Sequence, residues 1–282
     1  MSDERLLDSV SILWRMGIPP CGPDVRGAHK PGSTYALAGD ARRAGARSGR
    51  GEAATAWSHR TGGGLILDTL WTFVVDRRHQ LFVDSYLHAS AVLQSLLIAT
   101  AIAVLIGVLV YRSPVGSAAA TAAAGTILTV PSFALLGLLI PVFGLGVVPT
   151  VIALVLYALL PILRNTLVGL SAVDPAVVDA ARGVGMNRLR VLTAVELPLA
   201  WPSILTGMRV STQLIMGILA LAAYAKGPGL GNLIFSGLAR LGSPNAVPQA
   251  LTGTVLIVVL ALLLDGIFLL VGRFTVPRGI RD

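Results

Sequence analysis

The chain has 282 residues, of which 54% are apolar and 13% charged, with a formal net charge of +8 and a mean hydropathy of +0.77. Soluble domains carry about 25% charged residues, so too little polar side chain is present to coat a soluble globule. This composition excludes a cytosolic enzyme of conventional build, a disordered chain and a disulfide scaffold. The single cysteine, Cys21, allows neither an intramolecular disulfide nor a Cys-based metal site. His29, His59, His79 and His88 fall at no HxxxH or HExxH spacing, so no metal ligand set is expected. The basic residues are almost all Arg and divide between the first 64 residues and the ends of apolar runs. That is the distribution of a membrane protein, not a nucleic-acid footprint.

Residues 1–64 hold 9 of the 22 Lys/Arg and 6 of the 14 acidic residues, with abundant Gly, Ala and Pro and no apolar period. Such a head cannot bury enough surface to offset its ordering entropy, and it is expected to be largely disordered, with at most one short amphipathic helix. It lacks the layout of a cleavable signal peptide, and a start codon assigned upstream of the true one also accounts for it. LILDTLWTFVV (65–75) is too short to span and is followed by Asp76, Arg77 and Arg78, so 65–88 reads as an interfacial segment.

The apolar spans follow, within 89–272. Residues 89–110 carry no charge and exceed the roughly 20 residues that cross a bilayer. Ser117 to Phe143 is a second run, interrupted by Pro131. Val148 to Val168 is a third, Ser203 to Ala223 a fourth and Gln249 to Gly272 the last. The count is five core spans, or six if Pro131 splits the second. Between the third and fourth, residues 169–202 gather Asp174, Asp179, Arg182, Arg188, Arg190 and Glu196. Placing this polar segment and the 273–282 tail in the cytoplasm puts most loop arginines inside, against the charge of the head. The expected fold is all-α, a polytopic helical membrane bundle with a two-helix segment outside the bilayer.

In that segment Asp174 suits a helix N-cap and Pro175 the first turn. Gly185 is expected to end the first helix, Met186 to Leu192 to form a second, and Pro198 and Pro202 to turn the chain back into the membrane. Ala180, Ala181 and Gly185 are small enough to let another protein approach closely. The run Asp179-Ala180-Ala181, three residues, Gly185, nine residues, Val195, one residue, Leu197-Pro198 resembles the EAA motif of ABC-importer permeases. The spacing is complete, with Asp for Glu at 179 and Val for Ile at 195. The resemblance implies that Asp179, Ala180, Ala181, Gly185, Val195, Leu197 and Pro198 couple the spans to an ATPase. Upstream, VPSFALLGLLIPVFGLGVVPTVIALVLYALLPILRNTLVGL (130–170), and downstream VELPLAWPSILTGMR and RFTVPRGIRD, are similar to the permeases of osmoprotectant importers. That group takes glycine betaine, carnitine, choline and proline, and the similarity covers about 68–282.

No GxxxxGK[ST] loop exists, and the two lysines, Lys30 and Lys226, lie in no phosphate-cradling context. No cofactor is therefore expected on this chain, and ATP with Mg²⁺ falls to a partner ATPase. The tryptophans all lie outside the spans, so no aromatic cage for a quaternary ammonium is available within them. The expected partners are thus an ABC ATPase, a second permease of the same or another kind, an extracytoplasmic solute-binding protein and the inner (plasma) membrane. No nucleophile–base pair is present, so no catalytic residue is expected. An ABC permease for another small polar solute, such as an amino acid, is the alternative within transport. A secondary transporter would need ionisable residues near the midplane and repeated halves. Candidate path residues are Tyr157, Ser211 and Gln213, although Ser211 and Gln213 serve equally as interhelical hydrogen-bond glue. Asp265, about seven residues from the Arg-rich end of its span, is expected to pair near the interface, with Arg273 of the same or a neighbouring helix at hand.

Overall fold

The computed structural model describes residues 63–243 and 245–275. The expectations for the head up to residue 62 and for the tail from 276 onward lie outside the described residues. Among the described residues there are ten α-helices and no strand. They are α1 (Gly63–Asp76), α2 (Arg78–Val110), α3 (Pro114–Thr129), α4 (Ser132–Phe143), α5 (Val147–Ser171), α6 (Pro175–Gly183), α7 (Arg188–Val191), α8 (Leu197–Leu221), α9 (Gly231–Leu238) and α10 (Ala246–Thr275).

The stretch before the first span is helical. Only Arg77 interrupts α1 and α2, and its guanidinium lies 5.0 Å from the Phe73 ring centroid. At 33 residues α2 is about 50 Å long, well beyond a hydrocarbon core of about 30 Å. Residues 78–88 are thus the first turns of the spanning helix itself.

Pro131 acts as the sequence suggests, but without adding a span. Its ring disfavours helical backbone at the preceding residue, and Val130 is extended, with φ −71° and ψ 127°. The helices on either side meet at 92°. Their 16 and 12 residues reach about 24 Å and 18 Å, so neither crosses alone and the pair forms one broken element. Four continuous helical stretches, Arg78–Val110, Val147–Ser171, Arg188–Ala225 and Ala246–Thr275, are long and apolar enough to cross a membrane, and the bent pair makes a fifth crossing if it counts as one span and a re-entrant loop if it does not.

The core lies where α2, α5 and α8 meet, around Leu96, Leu154, Ile162, Leu163, Ile204, Ile215, Met216 and Leu219, all fully buried. Glycines set the closeness of the α5–α8 crossing. A Cβ on Gly169 would lie 2.8 Å from the Ser203 Cβ and 2.9 Å from the Ala200 carbonyl oxygen. One on Gly207 would lie 3.0 Å from both the Ile162 Cα and the Pro161 carbonyl oxygen. Helices in lipid gain nothing from hydrophobic exclusion between them, so this close packing supplies the attraction. By contrast α10 is largely uncovered and carries Val255, Val258, Leu262 and Ile267 on its open faces. A smaller apolar cluster of Leu81, Leu230, Leu233 and Ile257 seats α9 against α2 and α10.

Candidate functional site

The polar segment between α5 and α8 is built by three capping devices. Asp174 accepts a hydrogen bond from the Ala176 amide at 2.8 Å, with Pro175 opening α6. Such a cap contributes about 1 kcal/mol. At the far end the Met186 amide bonds the Ala181 carbonyl at 3.2 Å and the Gly185 amide bonds the Arg182 carbonyl at 2.9 Å. This is a Schellman stop, and Gly185 adopts the φ of +87° that it requires. The glycine of the motif thus has a backbone reason to be there. Asn187 then caps α7 by accepting from the Arg190 amide at 2.8 Å.

The motif residues do not all face one way. Asp179, Ala180, Gly185 and Pro198 are exposed, Val195 and Leu197 are half-buried, and Ala181 is buried against its own chain. Asp179 pairs with Arg182 one turn on, at 3.4 Å on an exposed surface. Between them the segment presents uncovered apolar side chains: Val177, Val184 at 77% exposure and Leu189 at 69%. Val191, fully buried, anchors it.

Pro198 and Pro202 do not turn the chain, which corrects the sequence expectation. After α7, Leu192–Glu196 forms a π turn in which the Leu197 amide reaches back to the Leu192 carbonyl, and α8 continues from it. The wider turn suits Pro198, which has no N–H to place in the ladder and a ring needing room. Segment and span form one helical body from Arg188 to Ala225.

Glu196 in that turn, only 4% exposed, accepts a bond from the Tyr111 hydroxyl at 2.6 Å and from Arg112 Nη2 at 3.2 Å. Arg112 Nε also donates to the Tyr111 oxygen at 2.6 Å. Burial, and then the Glu196 carboxylate, push the Tyr111 phenol up, so it remains a donor. This partly buried cluster ties the segment to the end of α2. The sequence shows Glu196 among the charges of the segment but not its partners, which lie 84 and 85 residues away.

Of the path candidates, Tyr157 is buried and donates to the Val130 carbonyl at the α3–α4 break. Ser211 is buried and donates to the Ala158 carbonyl of α5 at 2.9 Å. Both hold helices together. Gln213 alone stays exposed. It donates to Asp265 at 3.1 Å. Asp265 makes a two-pronged ion pair with Arg209 of α8 through Nε and through Nη2, the latter at 2.7 Å. Arg209 lies inside a stretch that reads as apolar on average. A lone cation at the centre of a span is the signal that would have found it.

Residues 97–276 match the family described as binding-protein-dependent transport system inner membrane component. The carnitine transport permease protein OpuCB of Listeria monocytogenes is 36% identical over 77% of this chain and 97% of its own length. The choline transport system permease protein OpuBB of Bacillus subtilis is 35% identical over 72% and 91%. The osmoprotectant import permease protein OsmW of Salmonella typhimurium is 35% identical over 76% and 100%. Among solved structures, a chain of the methionine ABC transporter MetNI in an inward-facing conformation superposes with a TM-score of 0.60 at 21% identity. It covers 70% of this chain and 96% of that one, and shows the same fold. The chain belongs to the binding-protein-dependent transport system inner membrane component family.

Proposed function

We propose that the chain is the permease subunit of an ATP-driven importer for osmoprotectants of the betaine, carnitine, choline and proline class. Two permeases, identical or not, enclose the path, and a separate ABC ATPase binds ATP and Mg²⁺. An extracytoplasmic binding protein captures the solute. The observation that carries the coupling role is the geometry of 174–196. Capped at three points and tied to α2 through Glu196, it offers Val177, Val184 and Leu189 to a partner. Because π turn and α8 are continuous with it, a push on the segment moves a span and not a slack loop. Motif residues Ala180 and Gly185 lie on its outer surface, while Ala181 and Val195 serve its internal packing. The near full-length likeness to carnitine, choline and osmoprotectant permeases supports the solute class.

The test is uptake. The chain is coexpressed with the ATPase and binding protein encoded in its genome neighbourhood and reconstituted into liposomes. ATP-dependent accumulation of labelled glycine betaine, choline, carnitine or proline is the expected result. Accumulation of methionine or another amino acid with none of these four would overturn the solute class.

A further inference from the structure

The Arg209–Asp265–Gln213 cluster sits near the middle of α8 and about two-thirds along α10, within stretches long and apolar enough to cross the membrane. Its position on the chain's surface is the informative feature. The Arg209 side chain is 38% exposed, Asp265 17%, and Gln213 is open. The exposed stripe of α8 that it borders runs Thr206, Val210, Gln213, Gly217, positions that share one helical face. Nothing lies within 4 Å of where a Cβ on Gly217 would be. The open faces of α10 are different, with large aliphatic side chains that suit lipid. A partly exposed ion pair at this depth is costly against hydrocarbon, and such residues face a bundle interior or a water-filled cavity.

The pair is also incompletely used. A guanidinium has five N–H donors. Asp265 takes Nε and Nη2, and no bond to Nη1 occurs among the described residues. The carboxylate fixes the guanidinium's fork in place while leaving donors over. Gln213 uses its amide nitrogen on Asp265, so its carbonyl oxygen remains an acceptor. The cluster carries one positive and one negative charge, so its net charge is zero. In a low-dielectric site such a dipolar cluster favours a dipolar solute of zero net charge over a net cation or anion, since a net charge would remain unbalanced there.

We propose that Arg209, Asp265 and Gln213 form a mid-depth station on the translocation path for small zwitterions. The solute's carboxylate takes the spare Arg209 donors, and its onium group lies against Asp265 and the Gln213 carbonyl. This rests on the reading above that the chain lines a solute path, and it adds the contact site and the charge type of the solute.

The test uses the complete transporter in liposomes, with three readouts: ATPase co-purification, ATP hydrolysis stimulated by the loaded binding protein, and uptake of labelled glycine betaine and choline. In the double variant Arg209→Met/Asp265→Leu the ion pair is replaced by apolar side chains, a change that packed helices often tolerate. It is expected to assemble and to hydrolyse ATP on stimulation, while glycine betaine uptake falls about tenfold or more. Uptake within about twofold of wild type would reduce the pair to interhelical glue and overturn the proposal. Should the double variant fail to assemble, Gln213→Ala decides, since this exposed side chain contributes a single hydrogen bond, to Asp265, and the Arg209–Asp265 pair stays in place without it. A several-fold fall in uptake is expected, and unchanged uptake overturns the proposal. A wild-type complex that carries choline but no zwitterion overturns this proposal and leaves the osmoprotectant reading standing. One that carries neither these two nor carnitine or proline overturns that reading, and this proposal with it.

Discussion

Replacing Ala181 with proline is expected to leave the chain in the membrane and strip it of its ATPase. Ala181 lies in the last turn of α6, where its carbonyl receives the Met186 amide in the Schellman stop. A proline there removes a helix N–H, drives its ring into the preceding turn and costs about 3 kcal/mol or more. It also enlarges a side chain that is buried against its own chain. A nine-residue helix has no stability of its own to absorb this, because isolated helices of such length are marginal in water. With α6 lost, Val177 and Val184 no longer share a surface with Leu189. The spans, whose core lies among α2, α5 and α8, are untouched. Membrane extraction with normal yield, together with loss of ATPase co-purification and of uptake, is the expected outcome. Unaltered co-purification would show that α6 is not the contact.

The second large effect falls inside the bundle. Gly207→Leu is expected to abolish the fold, because the added atoms meet backbone and a Cβ fixed to it, not the far end of a yielding side chain. The first of them alone would sit 2.8 Å from the Asn165 Cβ and 3.0 Å from the Ile162 Cα and the Pro161 carbonyl oxygen. Even Gly207→Ala forces α5 and α8 apart, and overpacking of this kind costs about 1–3 kcal/mol. The control is Gly125→Ala on α3, where nothing lies within 4 Å of the new Cβ. Without a clash, Ala in a helix interior gains up to about 1 kcal/mol over Gly. Thermal unfolding of the detergent-solubilised chain should therefore rank Gly125→Ala at or above wild type and Gly207→Ala below it. Gly207→Leu should yield no folded species. Equal stability for Gly125→Ala and Gly207→Ala would contradict the close crossing.

What the sequence displayed locally, the structure repeats. Apolar runs long enough to cross a bilayer form the long helices, and Asp174-Pro175 opens α6 while Gly185 closes it, since caps and αL turns depend on residues within one turn of each other. Features that depend on distant partners were not legible. The partner of Asp265 is Arg209, 56 residues away, and a cation averaged into an apolar stretch loses its signal. Pro198 resembles a turn residue until the π turn before it is known, because that wider turn gives its ring room at the start of α8. Tyr157 and Ser211 offered hydroxyls on spans, but which face of a helix they occupy depends on where α5 and α8 cross. At that crossing Ser211 turns inward onto the Ala158 carbonyl, while Tyr157 reaches the Val130 carbonyl at the α3–α4 break.

In the proposed importer, segment 174–196 meets the ATPase. A photo-crosslinking side chain placed at Val184, the most exposed apolar position of that segment, tests it directly. A matched control is placed at Val258, exposed on α10 within a membrane-crossing stretch. In the assembled complex an ATPase adduct is expected from position 184 and none from position 258. No adduct from 184, in a complex that still hydrolyses ATP in response to the loaded binding protein, would contradict it.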